Sequence, residues 1–267
     1  MERPAWAPAE LDLDRPNAAR MYDYYLGGSH NFAVDRELAA KVLEAWPDMP
    51  RAAQANRAFL RRAVRFLAGQ GIRQFLDIGS GIPTVGNVHE VAQESAPDAR
   101  VVYVDTDPVA VTHSRALLAG DPLTTVVESD GRDPATLLAD PAVTGLLDLS
   151  RPVGLLMVAL LHFVLDEQDP RGILAGYAQR LAPGSWVVVS HGSTDTAPGV
   201  ATMVTLYQRT STPIRMRSRG EVAALLADVD LVEPGVEFLP AWRPEHPDDI
   251  GGDATWASGY GAVGRLR

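Results

Sequence analysis

Three short loops, each following an apolar run, combine acids with glycines or hydroxyls. The first is Leu76-Asp77-Ile78-Gly79-Ser80-Gly81. Its glycines let a backbone approach a ligand closely, and Asp77 beside them suits a ligand that carries an ammonium group. A dinucleotide fingerprint needs a third glycine, but that place is Thr84, and an acid here would repel a pyrophosphate. The second loop is Val104-Asp105-Thr106-Asp107-Pro108. An acid at the end of a second strand can accept both ribose hydroxyl hydrogens, which is the reading for Asp105 with Thr106 beside it. Asp107, just before Pro108, reads as a helix N-cap. The third loop, Ser129-Asp130-Gly131-Arg132-Asp133, offers a carboxylate for an exocyclic adenine amine at Asp130 and a backbone N–H for a ring nitrogen at Gly131. Alone it also fits a solvated Asx turn. In this order on three successive strands, the loops describe a site for a nucleoside bearing a cationic tail.

The elements that position them follow from the hydrophobic period. Residues 17–28, 32–45 and 52–68 read as three helices, with Gly27-Gly28, Pro47 and Gly69 as stops. Strands follow at 74–79, 100–105, 124–128, 152–158 and 185–191. Helices separate them at 84–95, 108–119, 134–139 and 170–181. Short connections between alternating strands and helices imply a parallel sheet covered on both faces with right-handed crossovers. Residues 197–208 read as a further helix, and Ser218-Arg-Gly-Glu221 as a capping box opening another that runs to Ala227. Strands at 231–239 and 260–266 close the chain around a loop at 244–253. The expected organisation is a loose arm at 1–16 and one domain at 17–267, with a helical cap (17–70) on an α/β core (71–267).

Residues 14–36, from Asp14-Arg-Pro-Asn-Ala-Ala-Arg-Met-Tyr-Asp-Tyr-Tyr-Leu-Gly-Gly to Phe32-Ala-Val-Asp-Arg36, together with Asp77-Ile-Gly-Ser-Gly-Ile-Pro-Thr84, carry a family resemblance. The three loops resemble those of class I S-adenosylmethionine-dependent methyltransferases. Nearly the whole chain is similar to an actinobacterial S-adenosyl methyltransferase family formerly described as a domain of unknown function. The resemblance implies a doubly wound, Rossmann-like seven-stranded sheet in the order 3-2-1-4-5-7-6 with the last strand antiparallel. It also implies S-adenosylmethionine as cofactor. Asp77, Gly79, Ser80 and Gly81 would line its methionine end, Asp105 and Thr106 its ribose, and Asp130 and Gly131 its adenine.

Methyl transfer from a sulfonium mostly requires alignment, with a base where the acceptor must lose a proton. His162, after the fourth strand in Ala159-Leu-Leu-His-Phe163, is the candidate base, and His191 is a second histidine at a strand end. Both types also occur as packed histidines. Tyr22, Tyr25, His30 and Asn31 would form a lid, or simply pack the cap on the sheet. Arg215, Arg217 and Arg219 alternate on an extended segment, where they could meet an anionic substrate or sit in a solvated loop. After strand four, Met157-Val158-Ala159-Leu160 lacks the Asn/Asp-Pro-Pro-aromatic pattern of adenine and glutamine N-methylating enzymes. It also lacks the acid expected of Mg²⁺-dependent catechol-type enzymes.

Composition narrows the choice further. The chain has 267 residues, 46% hydrophobic, and a formal charge of −10. A nucleic-acid partner is disfavoured, because affinity for a phosphate backbone comes from Lys and Arg. Among 24 cations only Lys41 is a lysine, in keeping with a GC-rich genome. With no cysteine, Cys-ligated zinc, iron–sulfur clusters and covalent pyrimidine methylation are excluded. No apolar run approaches the ~18 residues of a membrane span, and the first residues lack a secretory pattern, so the expected location is cytoplasmic. The sequence therefore predicts metal-free transfer of a methyl group to an O or N atom of a small molecule. The alternative is a protein that binds the cofactor or its product without catalysis, which would fill the acceptor space with apolar side chains. A nicotinamide oxidoreductase is disfavoured by Thr84 and Asp77.

Overall fold

A computed structural model describes residues 12–84, 86–195, 199–250 and 252–267. Three helices come first: α1 (Ala18–Tyr25), α2 (Ala33–Ala45) and α3 (Met49–Gly69). The sheet begins with β1 (Gln74–Ile78) and continues through α4 (Val88–Ser95), β2 (Arg100–Asp105), α5 (Pro108–Leu117) and β3 (Thr124–Glu128). Then come α6 (Pro134–Leu138), α7 (Pro141–Leu146), β4 (Gly154–Val158), α8 (Pro170–Ala178) and β5 (Trp186–Gly192). The chain ends with α9 (Val200–Tyr207), α10 (Arg219–Leu225), β6 (Val229–Leu231), β7 (Glu237–Phe238) and β8 (Gly259–Leu266). An Asp–Pro pair opens α5, α6, α7 and α8, with Asp107, Asp133, Asp140 and Asp169 accepting N–H groups of the first turn. Proline suits this place because its missing N–H has no helical acceptor there.

The sheet order is β3-β2-β1-β4-β5-β8-β6, with β7 also paired to β8. Strands β1 to β5 are parallel, and β8 lies antiparallel to β5, β6 and β7. The expected order is present with one strand more. The run read as a single strand over 231–239 is divided by Pro234, which has no N–H to donate to a ladder, and by Gly235 at φ +80°. Two helices also differ from expectation. α4 starts only at Val88, because Glu90 turns back to accept the N–H groups of Gly86 and Asn87. α7, unforeseen, is capped by Asp140.

Side chains alternate across each strand. Val102 and Val104 of β2 join Leu155, Met157, Ile173 and Tyr177 on one face. Val101 and Tyr103 join Phe59, Val64, Leu67, Val88 and Val91 on the other. α3 buries Phe59, Leu60, Ala63, Val64 and Leu67 at helical spacing, so its second half covers the sheet while its first half enters the cap. The cap has its own core, in which Met21, Leu38, Val42 and Trp46 meet Met203, Tyr207, Ile214 and Met216. It is therefore built from two distant chain segments, and α9 belongs to it. Residues 12–16, read as part of a loose arm, are tied down. Arg20 donates to the carbonyls of Asp12 and Arg15, and Ser211 N–H donates to Pro16. Residues 1–11 lie outside the described residues.

Cap and sheet are joined by a directed chain of hydrogen bonds. Ala159 N–H donates to Ser190 Oγ (2.8 Å), and Ser190 Oγ donates to Asn56 Oδ1 (2.6 Å). Asn56 Nδ2 donates to Tyr22 Oη (2.9 Å), which donates to the Ala53 carbonyl (3.0 Å). Removing one member leaves buried partners unsatisfied. Asn56→Ala and Ser190→Ala are each expected to lower unfolding free energy by about 1–3 kcal/mol. In chemical denaturation the double variant is expected to lose less than the two single losses added together.

Candidate active site

A cavity of about 620 Å³ opens at the carboxyl ends of β1, β2, β3, β4 and β5, beneath the cap. This is where a doubly wound sheet places its ligand, because strand order reverses between β1 and β4. It is lined by Asp77, Gly79, Ser80 and Gly81 after β1, by Asp105 and Thr106 after β2, and by Asp130 and Gly131 after β3. Of the other foreseen residues, His162 after β4 and Tyr22 of the cap line it as well. Tyr25 is buried in the cap core against Tyr207. His30 and Asn31 are not among the lining residues. They stand behind Asp23, which does line the cavity: His30 N–H and Asn31 Nδ2 each donate to Asp23 Oδ2 at 2.8 Å. Gly28 makes this possible, since a Cβ there would fall 2.0 Å from Asp23 Oδ1.

Backbone geometry around the acids is specific. Gly79 and Gly81 have φ +68° and +69°, and a Cβ on Gly79 would come 2.8 Å from Leu160 Cδ1. A Cβ on Gly131 would meet Ile78 Cγ2 at 2.1 Å. Asp105 is locked in place: Oδ2 accepts Gly81 N–H (2.7 Å) and Oδ1 accepts Asp107 N–H (2.8 Å). Asp107 caps α5, as expected. Asp130 sits half-exposed at the rim, held by Arg132 in a paired contact that keeps it below the usual carboxylate range.

Burial pushes Asp105 up to about 6 and Asp77 up to about 7. For Asp77 desolvation dominates; the Arg57 guanidinium opposes it and the Asp105 charge adds to it. Arg57, on α3, was not foreseen in the sequence. It lines the cavity and donates from Nη2 to the Gly86 carbonyl at 3.2 Å, while its Nε is buried without a partner. Ser80 Oγ and Thr84 Oγ1 are likewise buried and unpartnered. Buried polar groups are rarely left so, and Arg57, Ser80 and Thr84 all line the same cavity as Asp77. Among the described residues no group of three or more His, Asp or Glu side chains could hold a metal ion.

The β4 end is organised differently. Ala159 takes φ +56° and the chain continues into a 3₁₀ turn at Leu161–Phe163. His162 Nδ1 accepts Gly192 N–H at 3.3 Å, so the neutral ring carries its proton on Nε2. Desolvation, with His191 and Arg217 nearby, holds His162 well below its ordinary value. His191 has both nitrogens committed: Nδ1–H donates to the Gly192 carbonyl (2.8 Å) and Nε2 accepts from Arg217 Nη1 (2.8 Å). The three arginines read as a possible anion site are otherwise engaged. Arg217, only 2% exposed, also donates to Leu161 O, Val164 O and Asp166, stapling the His162 loop to β5. Arg215 is paired with Asp166 and Glu221, and Arg219 with Glu237. The pattern of alternating arginines could not reveal that its middle member is buried.

With fold and site in view, the comparisons agree. The S-adenosyl methyltransferase family profile matches residues 4–267, and the chain belongs to that family. A crystal structure of a putative methyltransferase from Thermobifida fusca is 41% identical, with TM-score 0.91 over 98% of this chain and 99% of that one. A DUF574 family protein from Streptomyces avermitilis is also 41% identical, with TM-score 0.91 over 96% and 99%. TnmH shares the fold, at 18% identity and TM-score 0.50 over 86% and 61%. No curated protein matches. The protein is thus an S-adenosylmethionine-dependent enzyme of Rossmann-like α/β fold. Among the described residues no helix is long and apolar enough to cross a membrane.

The raised Asp77 carries a stability consequence. A carboxyl that binds its proton more tightly folded than unfolded loses stability as pH climbs from its unfolded value, 3.8, to about 7, and the full cost persists above that. Asp77→Asn removes the cost. In calorimetry the ligand-free variant is expected to melt about 5 °C higher at pH 8 and little differently at pH 4.

Proposed function

We propose that this enzyme transfers the methyl group of S-adenosylmethionine to a small-molecule acceptor held between the β4–β5 ends and the cap. The observation that carries the reading is the locked Asp105 carboxylate, set by two backbone N–H groups at the centre of a strand-end cavity with acids on either side. Bound there, the cofactor supplies an activated methyl on a sulfonium. The chain's residues bind and orient it. Asp105 accepts the ribose hydroxyls beside Thr106. Asp130, kept ionised by Arg132, accepts the adenine amine, and Gly131 N–H donates to the ring.

At the methionine end an amino-acid head group carries both an ammonium and a carboxylate. Asp77 answers the first. Arg57 answers the second, with Ser80 and Thr84 as hydroxyl partners. No ion pair joins Asp77 to Arg57 among the described residues, so the two charges are held apart for a zwitterion. Tyr22 roofs the cavity, and His30 and Asn31 act through Asp23. The cavity continues past this end along Phe163, Met203 and Tyr207, whereas a non-catalytic binder would fill that space.

Differential scanning fluorimetry tests the reading. S-adenosylmethionine and S-adenosylhomocysteine at about 100 times their Kd are expected to add ~2.7 kcal/mol of stability, and NAD none. Asp105→Ala is expected to abolish the shift while the variant stays folded. Arg57→Ala is expected to weaken S-adenosylhomocysteine about 10–100-fold, as a lost charge-assisted contact would, and to leave 5′-methylthioadenosine, which lacks the head group, unchanged. Because the ammonium needs Asp77 ionised, cofactor affinity is expected to fall roughly tenfold from about pH 7 to about pH 6, above the range in which Asp105 titrates, and this fall is expected to vanish in Asp77→Asn.

A further inference from the structure

The formal charges lining the cavity are sharply segregated. Asp23, Arg57, Asp77, Asp105, Asp107, Asp130 and Arg132 all come from the first half of the chain. From Met157 to Gly259 the described lining residues include no Asp, Glu, Lys or Arg. Trp46 and Met49 of the cap, with Phe163, Met203, Tyr207 and Met216, supply apolar walls of the same cavity. Aromatic faces and thioethers favour flat π-systems, and unbranched methionines adapt to more than one outline. Four of the chain's six methionines, the fourth being Met157, line this one cavity. A carboxylated or phosphorylated acceptor would find no counter-ion, since Arg215, Arg217 and Arg219 are all consumed within the protein.

The polar groups of this half restrict the acceptor atom. His162 Nδ1 is occupied by Gly192 N–H, so its other nitrogen, which has no hydrogen-bond partner among the described residues, presents an N–H. His191 has no free lone pair. Ser190, Asn56 and Tyr22 satisfy one another. Among the described lining residues from Met157 to Gly259 there is therefore a donor and no base. A donor can hold an oxygen and still leave a lone pair for attack. An amine nitrogen has one lone pair, and a donor bound to it would block the reaction. Without a base, the hydroxyl must be acidic enough to ionise in water, as an aromatic hydroxyl is and an alkyl one is not.

We infer that the acceptor is a flat, otherwise uncharged aromatic molecule methylated on a ring hydroxyl, with His162 as hydrogen-bond donor to that oxygen in place of general base. The inference rests on the methyltransferase reading above. The hydroxyl proton leaves to bulk water through the cavity mouth. An oxygen lone pair forms the O–CH₃ bond as the S–CH₃ bond breaks and its electron pair stays on sulfur. Anion and sulfonium both become neutral, which an apolar chamber favours over keeping either charge.

The test uses the full chain with 1-naphthol, dihydroxynaphthalenes, 1-naphthylamine and 1-naphthoate. With S-adenosylhomocysteine present, naphthols are expected to raise the melting temperature further and naphthoate is not. With S-adenosylmethionine, mass spectrometry is expected to find methyl ethers and no N-methyl product. His162→Gln, which keeps an N–H, is expected to retain kcat within about tenfold, and His162→Phe to lose about 100-fold. N-methylation matching O-methylation, tighter binding of naphthoate, equal losses in the two His162 variants, or no binding by any naphthol would each overturn the inference. If S-adenosylhomocysteine itself produced no shift, the methyltransferase reading would fail and this inference with it.

Discussion

The hydrogen-bond chain from Ala159 through Ser190 and Asn56 to Tyr22 is the constraint on which the rest depends. Each member gives and accepts in one direction, and each comes from a different part of the chain: the β4 end, β5, α3 and α1. In the buried setting a missing member leaves a neighbour unsatisfied, which costs more than the bond itself contributes. The chain therefore fixes the cap over the strand ends at one height and one rotation. The cavity exists because that height is held.

A second network fixes the cavity wall at the β4 and β5 ends. Buried Arg217 ties Leu161, Val164 and Asp166 to His191. It thereby holds the loop in which Gly192 N–H sets the His162 tautomer. A planar guanidinium with five donors suits such a junction. Other buried charges lie in the cap, where Arg20 pairs with Asp35, and at the ends of β1 and β2, where desolvation raises Asp77 and Asp105. Raised in this way, the carboxyls of Asp77 and Asp105 reduce stability as pH climbs from 3.8 to their raised values. A buried carboxyl that costs stability in this way is common at functional sites.

Much of the site was legible because it is local. Asp77-Ile-Gly-Ser-Gly81 needs only a strand, a turn and two residues at positive φ, and spacing along the chain reports all of these. Asp105 and Asp130 follow from the same strand-end logic. Arg57 was not legible: it lies on a cap helix whose phase relative to β1 is a tertiary matter. Asp23 was hidden for a related reason. His30 and Asn31 attract notice as chemistry-bearing types, yet their donors are spent on the carboxylate that faces inward. Adjacent residues on a helix end cannot be sorted into inner and outer without knowing what packs on them.

The sequence by itself determined the alternating strands and helices, a parallel sheet covered on both faces, the three acidic loops and the absence of thiol chemistry, while the strand order was implied by the family resemblance. Period, capping and turn preferences are local, and handed crossovers leave few ways to assemble them. Only the tertiary structure decided that residues 200–216 fold back into the cap, that the run at 231–239 divides into two strands, and that the charged side chains among the described residues lining the cavity come from the first half of the chain alone. It also decided which nitrogen of His162 carries the proton. These outcomes depend on contacts between residues far apart in the chain, such as Asn56 with Ser190 and His162 with Gly192. A hydrogen bond of that kind is set by three-dimensional position, on which sequence spacing is silent.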